Sequence, residues 1–159
     1  MSRFVHRMPF GAEVGAAGTR FRLWAPDVAQ VGLLPEGPDG KGTQERPMTD
    51  RGDGWREATV AEAGPGMRYC FRVDGGVVVP DPASRFQPAD VHGPSEIVDP
   101  AAYTWRNANW RGRPWEEAVV YELHVGAFTP EGTFAAAAER LAELADLGVT
   151  AGELMPGAR

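Results

Sequence analysis

Thr19-Arg20-Phe21-Arg22-Leu23-Trp24-Ala25-Pro26 alternates, with Phe21, Leu23 and Ala25 on one side and Arg20, Arg22 and Trp24 on the other. A period of two belongs to a strand whose two faces see different surroundings, because successive side chains of extended backbone point in opposite directions. Pro26-Asp27 stops the run. The same grammar recurs downstream. Gln30 to Leu34 is a second strand candidate and Trp55 to Val60 a third, opened by the turn sequence Asp50-Arg51-Gly52-Asp53-Gly54. Arg68 to Asp74 sets Tyr69, Phe71 and Val73 against Arg68, Cys70 and Arg72, and Gly75-Gly76 turns it toward Val77-Val78-Val79. Short strands at near-regular spacing with Gly/Pro turns between them predict an antiparallel β-sandwich. The first domain is therefore expected over residues 1–80, its body starting near residue 9.

Composition narrows the partners. The chain has 159 residues, with 20 Gly and 14 Pro, above the usual roughly 7% and 5%, as a protein built of many turns requires. Sixteen Lys and Arg against 22 Asp and Glu give a net charge of −6, and the basic residues are scattered. Nucleic acid and anionic membrane surfaces are thereby disfavoured as partners. Cys70 is the only cysteine, so no intrachain disulfide forms and a reducing cytoplasm is the expected setting. The start, Met1-Ser2-Arg3-Phe4-Val5-His6-Arg7, carries no apolar leader after it, and no apolar run approaches the roughly 18 residues of a membrane span.

From Pro80 to Pro114 the alternation is lost to Asp-Pro and His-Gly-Pro steps, which favour extended or turned backbone. Residues 81–117 read as a connector, either ordered or flexible. Phe86, Tyr103, Trp105, Trp110 and Trp115 are more apolar surface than a freely solvated linker carries, which argues for order. The pattern then changes again. Ala118-Val119-Val120-Tyr121-Glu122-Leu123-His124-Val125 suits a strand covered on both faces. Phe134 to Leu147 follows helical spacing, with Thr133 to cap it and Gly148 to stop it, and predicts one helix of about four turns. Val149 to Pro156 supplies a second strand, so residues 118–159 read as strand, helix, strand, the unit from which parallel sheets and (β/α) barrels are built.

Three stretches carry a resemblance. Phe21-Arg22-Leu23-Trp24-Ala25-Pro26 looks like the opening strand of the sandwich that precedes the catalytic barrel in isoamylases, glycogen branching enzymes and trehalohydrolases of the α-amylase superfamily. Val79-Pro80-Asp81-Pro82-Ala83-Ser84-Arg85-Phe86-Gln87-Pro88, continuing to Val91-His92-Gly93-Pro94-Ser95-Glu96 and Asp99-Pro100, is narrower and resembles the malto-oligosyltrehalose trehalohydrolases. Val120 to Gly126 with Phe128 to Phe134, then Leu147 to Thr150 with Glu153 to Pro156, resemble the first and second barrel strands of that family. The resemblance implies a mainly β chain. An immunoglobulin-like (E-set, CBM48-like) antiparallel β-sandwich is followed by the β-α-β start of a truncated (β/α)8 barrel. It also implies a parent activity, hydrolysis of the α-1,4-glucosidic bond next to the terminal trehalose unit of a maltooligosyl-trehalose, with an α-glucan as partner. Two departures stand out: Ala127 where the family commonly has Thr, and Gly152 where an aliphatic strand residue is expected.

Retaining glycoside hydrolysis needs two carboxylates about 5 Å apart. The resemblance puts the nucleophile, the acid/base and their supporting Asp on later barrel strands, so no catalytic residue is expected here and the chain alone should be inactive. Glu122 and His124 invite a catalytic reading, but a mutually hydrogen-bonded buried pair is the expectation, since buried polar groups must first find partners. His92, in His-Gly-Pro, reads as a turn residue, and three scattered histidines with one cysteine offer no metal-ligand spacing. No cofactor is expected. Trp24 and Trp55, on alternating strands, read as core or interface, whereas Trp105 and Trp110 in the connector are the carbohydrate-binding candidates, because a pyranose ring packs its apolar face on an indole. Exposed barrel strands would also favour self-association. A noncatalytic α-glucan-binding module and an inactive fragment are the competing readings.

Overall fold

The computed structural model describes residues 10–37, 42, 44–107 and 109–156. Residues 1–9 and 38–41 of the expected sandwich, together with 43, 108 and 157–159, lie outside the described residues. The chain divides into two compact units between Thr104 and Trp105.

The first unit is two antiparallel sheets. One holds β1 (Gly11–Gly15), β2 (Gly18–Trp24), β6 (Trp55–Val60) and β5 (Thr49–Asp50), in that order. The other runs β4 (Arg46–Pro47), β3 (Val31–Glu36), β7 (Arg68–Val73) and β8 (Val78–Val79), with β9 (Ser95–Glu96) also on β7. Alternation works as the sequence predicts: Thr19, Phe21 and Leu23 of β2 are buried while Trp24 is exposed. Phe21 from one sheet meets Tyr69 from the other edge-to-face at 4.8 Å, and Tyr69 meets Phe71 at 5.7 Å. Leu33, Val60 and Ile97 complete a fully buried centre. Each such side chain contributes roughly 1.5–3 kcal/mol when removed from water.

Turns follow their residues. Asp74 and Gly75 both have positive φ, 47° and 68°, the two left-handed positions of a tight hairpin between β7 and β8. Gly18 is required at its place. Its φ is +106°, and a Cβ there would lie 2.3 Å from the Val60 carbonyl oxygen.

The sandwich does not end at residue 80, as the sequence suggests. β8 and β9 lie on the same side of β7, pairing Phe71 with Val79 and Tyr69 with Ser95, so the excursion between them closes one sheet edge. Ile97 donates its N–H to Met67 and accepts from Gly66. Proline-rich backbone hid this, because a two-residue strand has no period to read. The first half of the expected 81–117 connector is thus a structural part of the first unit.

The second unit pairs β10 (Val120–Leu123) with β11 (Ala151–Leu154) in parallel, Val120 opposite Ala151 and Leu123 opposite Leu154. Between them come α1 (Val125–Phe128), α2 (Phe134–Glu139) and α3 (Leu141–Asp146). Thr133 caps α2 by accepting from the Ala136 N–H. The single four-turn helix expected over 134–147 is broken at Arg140, whose ψ is −7° and whose N–H reaches back to Ala137 in a tightened turn. The first strand is also shorter than the apolar run, because His124 already caps α1. Among the described residues no helix is long and apolar enough to cross a membrane.

Candidate functional site

Trp105 and Trp110 both belong to the second unit, 75% and 73% exposed. The Trp110 N–H is held by the Asn107 carbonyl at 3.0 Å, and Gly112, at φ +83°, turns the chain beside its ring. Trp115 opens a short 3-10 turn, Trp115–Glu117, and is equally open. These rings therefore have the exposure that a sugar platform needs.

Trp24 corrects the sequence reading. It is not in the core: its ring is 59% exposed on the outer face of the first sheet, opposite half-buried Trp55. The alternation that buries Leu23 puts Trp24 outside, and its indole N–H is met by the Asp53 carbonyl at 3.0 Å.

Glu122 and His124 are not the buried pair expected of them. Both are exposed, and among the described residues no hydrogen bond joins them, since the strand stops at Leu123 and His124 turns into α1. His92 is in a turn, its N–H bonded to the Asp90 carboxylate at 2.7 Å. Among the described residues no three His, Cys, Asp or Glu side chains gather as metal ligands. At the carboxyl end of β10 the Thr129–Thr133 loop and α2 border an open groove of about 450 Å³, lined by Glu131, Glu139 and Arg140 among others.

One polar group in the first unit was not foreseen. Tyr69, buried, donates its hydroxyl to the Asp81 carboxylate at 2.6 Å. Asp81, also buried, accepts from the Ala83 N–H at 2.8 Å, and its own N–H donates to the Ser95 hydroxyl at 3.0 Å. Burial pushes the Asp81 carboxyl above its ordinary range, against the pull of the Tyr69 hydrogen bond. Burial and the Asp81 charge push the Tyr69 phenol up in turn, so it remains a donor at any ordinary pH. Sealed from solvent, the pair pins the Asp-Pro loop rather than meeting a ligand. Its signal in sequence was an Asp between two prolines directly after a strand. Burial likewise raises the Cys70 thiol, with Glu36 adding to it.

With this geometry in hand, the chain can be compared with known proteins. Residues 9–102 match carbohydrate-binding module 48, the isoamylase N-terminal domain. The chain belongs to that family. Beyond the module, it is 47% identical over 142 residues to the malto-oligosyltrehalose trehalohydrolase of Deinococcus radiodurans, an alignment covering 89% of this chain and 22% of that protein. A 1.4 Å crystal structure of an α-amylase-type protein from Salmonella typhimurium superposes with a TM-score of 0.82 at 50% identity, over 95% of this chain and 25% of the other. The pullulanase of Paenibacillus barengoltzii in complex with maltohexaose and α-cyclodextrin gives 0.74 at 27% identity, over 96% and 28%. The chain therefore spans about a quarter of the length of the proteins it matches. The immunoglobulin-like sandwich fold and the kinship with trehalohydrolases follow from these matches together.

Proposed function

We propose that this chain serves as the front portion of a glycoside hydrolase that cleaves the α-1,4-glucosidic bond next to the terminal trehalose unit of a maltooligosyl-trehalose. The observation that carries the reading is that similarity to a trehalohydrolase runs on past the module into the parallel β10–β11 unit, reaching 89% of the chain. In this reading residues 118–156 begin a (β/α)8 barrel, and the carboxylate pair belongs to later strands. The described chain binds and positions rather than cleaves, with Trp105 and Trp110 as carbohydrate contacts. An α-glucan is the expected partner. A cytoplasmic setting suits the buried, reduced Cys70.

The test is a chimera in which residues 10–156 replace the matching segment of the Deinococcus radiodurans trehalohydrolase. Trehalose release from maltotriosyl-trehalose is expected from the folded chimera and none from this chain alone. A chimera with native secondary structure but no release overturns the assignment, as does turnover by the isolated chain that depends on its own residues. A second reading, a noncatalytic α-glucan-binding module, is favoured by the first unit having a closed core of its own. It predicts retention on amylose by residues 10–104 without any enzyme attached.

A further inference from the structure

The outer face of the first sheet joins an indole to a cluster of arginines. Trp24 is the open ring. Its N–H is already bound to Asp53, and Gly54 lies beneath it, where a Cβ would come within 3.0 Å of the indole nitrogen. The ring is thus held in one orientation with its polar edge satisfied, and what it presents to solvent is apolar π-surface. Beside it, the Arg22 guanidinium packs 4.4 Å from the centroid of the Trp55 ring, and Phe10 lies nearly parallel to that ring, 11° apart with centroids at 6.5 Å.

Glu57 gathers the cations of this face. Arg51, Arg22 and Arg20 approach its carboxylate at 3.0, 3.5 and 3.6 Å, and Arg20 also pairs with Glu13. Charge is therefore largely compensated, which argues against a phosphate or nucleic acid ligand. Hydrogen-bonding capacity is not. Each guanidinium carries five N–H donors, against the roughly four acceptor sites of one carboxylate. A rigid apolar platform flanked by surplus donors on a locally neutral surface fits a neutral polyhydroxyl ring, whose CH face stacks while its equatorial hydroxyls accept.

We propose that Trp24, with Arg22 and Arg20, forms an α-1,4-glucan contact on the outer face of the β1-β2-β6-β5 sheet. The proposal rests on the carbohydrate reading above but not on Trp105 or Trp110. It assigns to Trp24 the role of stacking surface and to the arginines that of hydroxyl donors.

The experiment titrates the whole chain with maltoheptaose by NMR, reading indole N–H shifts, with dextran as the α-1,6-linked control. Wild type should bind with Kd of order millimolar, as an open platform burying little ligand does. Trp24→Ala should weaken this about tenfold, the loss of one stacking contact. Arg20→Gln, which leaves every aromatic ring in place, should weaken it severalfold. Unchanged urea midpoints show that each variant is folded. If Trp24→Ala and Arg20→Gln bind as wild type while Trp105→Ala or Trp110→Ala abolishes binding, this site is wrong and the connector reading stands. No maltoheptaose binding by any form overturns the site, whereas the trehalohydrolase assignment is decided separately by the chimera. Equal response to dextran shows nonspecific stacking and also overturns it.

Discussion

Removing one oxygen atom, in Tyr69→Phe, tests how the Asp81 loop is fixed to the sandwich. The ring keeps its contacts with Phe21 and Phe71, so the apolar burial is unchanged and only the 2.6 Å hydrogen bond to Asp81 is lost. A hydrogen bond to a charged group contributes roughly 1.5–3 kcal/mol. Asp81 retains the Ala83 N–H, so a cost of about 2 kcal/mol at pH 7 is expected, a fall of about 1 M in urea midpoint at a slope near 2 kcal/mol/M. The pH dependence has a defined sign. Because the folded carboxyl titrates above its unfolded value, the native state binds the proton first as pH falls. The stability that this group contributes is therefore full below the unfolded pKa and is lost as pH rises through the folded one. Tyr69 opposes that shift, so in Tyr69→Phe the folded pKa climbs further and the penalty shrinks on acidification. Urea unfolding of both proteins from pH 7 down to the ordinary carboxylate range gives the answer. A penalty below about 0.5 kcal/mol at pH 7, or one flat across that range, refutes the reasoning.

Gly18→Ala should destabilise the first unit by roughly 2–4 kcal/mol, because the new methyl meets the Val60 carbonyl and the backbone is left-handed; a calorimetric shift within error would contradict this. Amide exchange should be slow over β2, β3, β6 and β7 and early over residues 118–156, with protease cutting after Arg111 or Arg113, since Phe134, Leu141, Leu147 and Leu154 are exposed. A concentration-dependent dimer through the β10–β11 unit is the competing outcome. Equal protection of both units in a strictly monomeric sample would disprove the account of an unsupported barrel unit.

β2, β6 and β7 were legible because large apolar and charged residues alternate in them, a contrast that survives any context. β1 (Gly11–Gly15) was not, although Ala12 is buried and Val14 packs on the core. Its inward residues are small and its ends are glycine, so only pairing with β2 makes it a strand. Two-residue elements such as β9 are defined wholly by their partners. The helix break at Arg140 was equally hidden, since the apolar spacing runs through it unchanged. For the site, alternation gave the face of Trp24 correctly, yet the general tendency of tryptophan to be buried pointed the other way. Nothing in the spacing of residues 10, 22 and 55 announces that their side chains meet; that depends on the register of β1, β2 and β6.

The return of the chain to β7 as β9 has a consequence for synthesis on the ribosome. Ser95 and Ile97 are almost wholly enclosed by strands made much earlier, so the nascent sandwich waits, its β7 edge open and Tyr69 lacking its acceptor, until those last residues leave the exit tunnel. Folding of this unit is then a late, all-or-none closure in which the Asp-Pro loop acts as the latch. A ribosome stalled before Ile97 emerges would display an unsealed sheet edge for a chaperone to bind, and one stalled well after it would not.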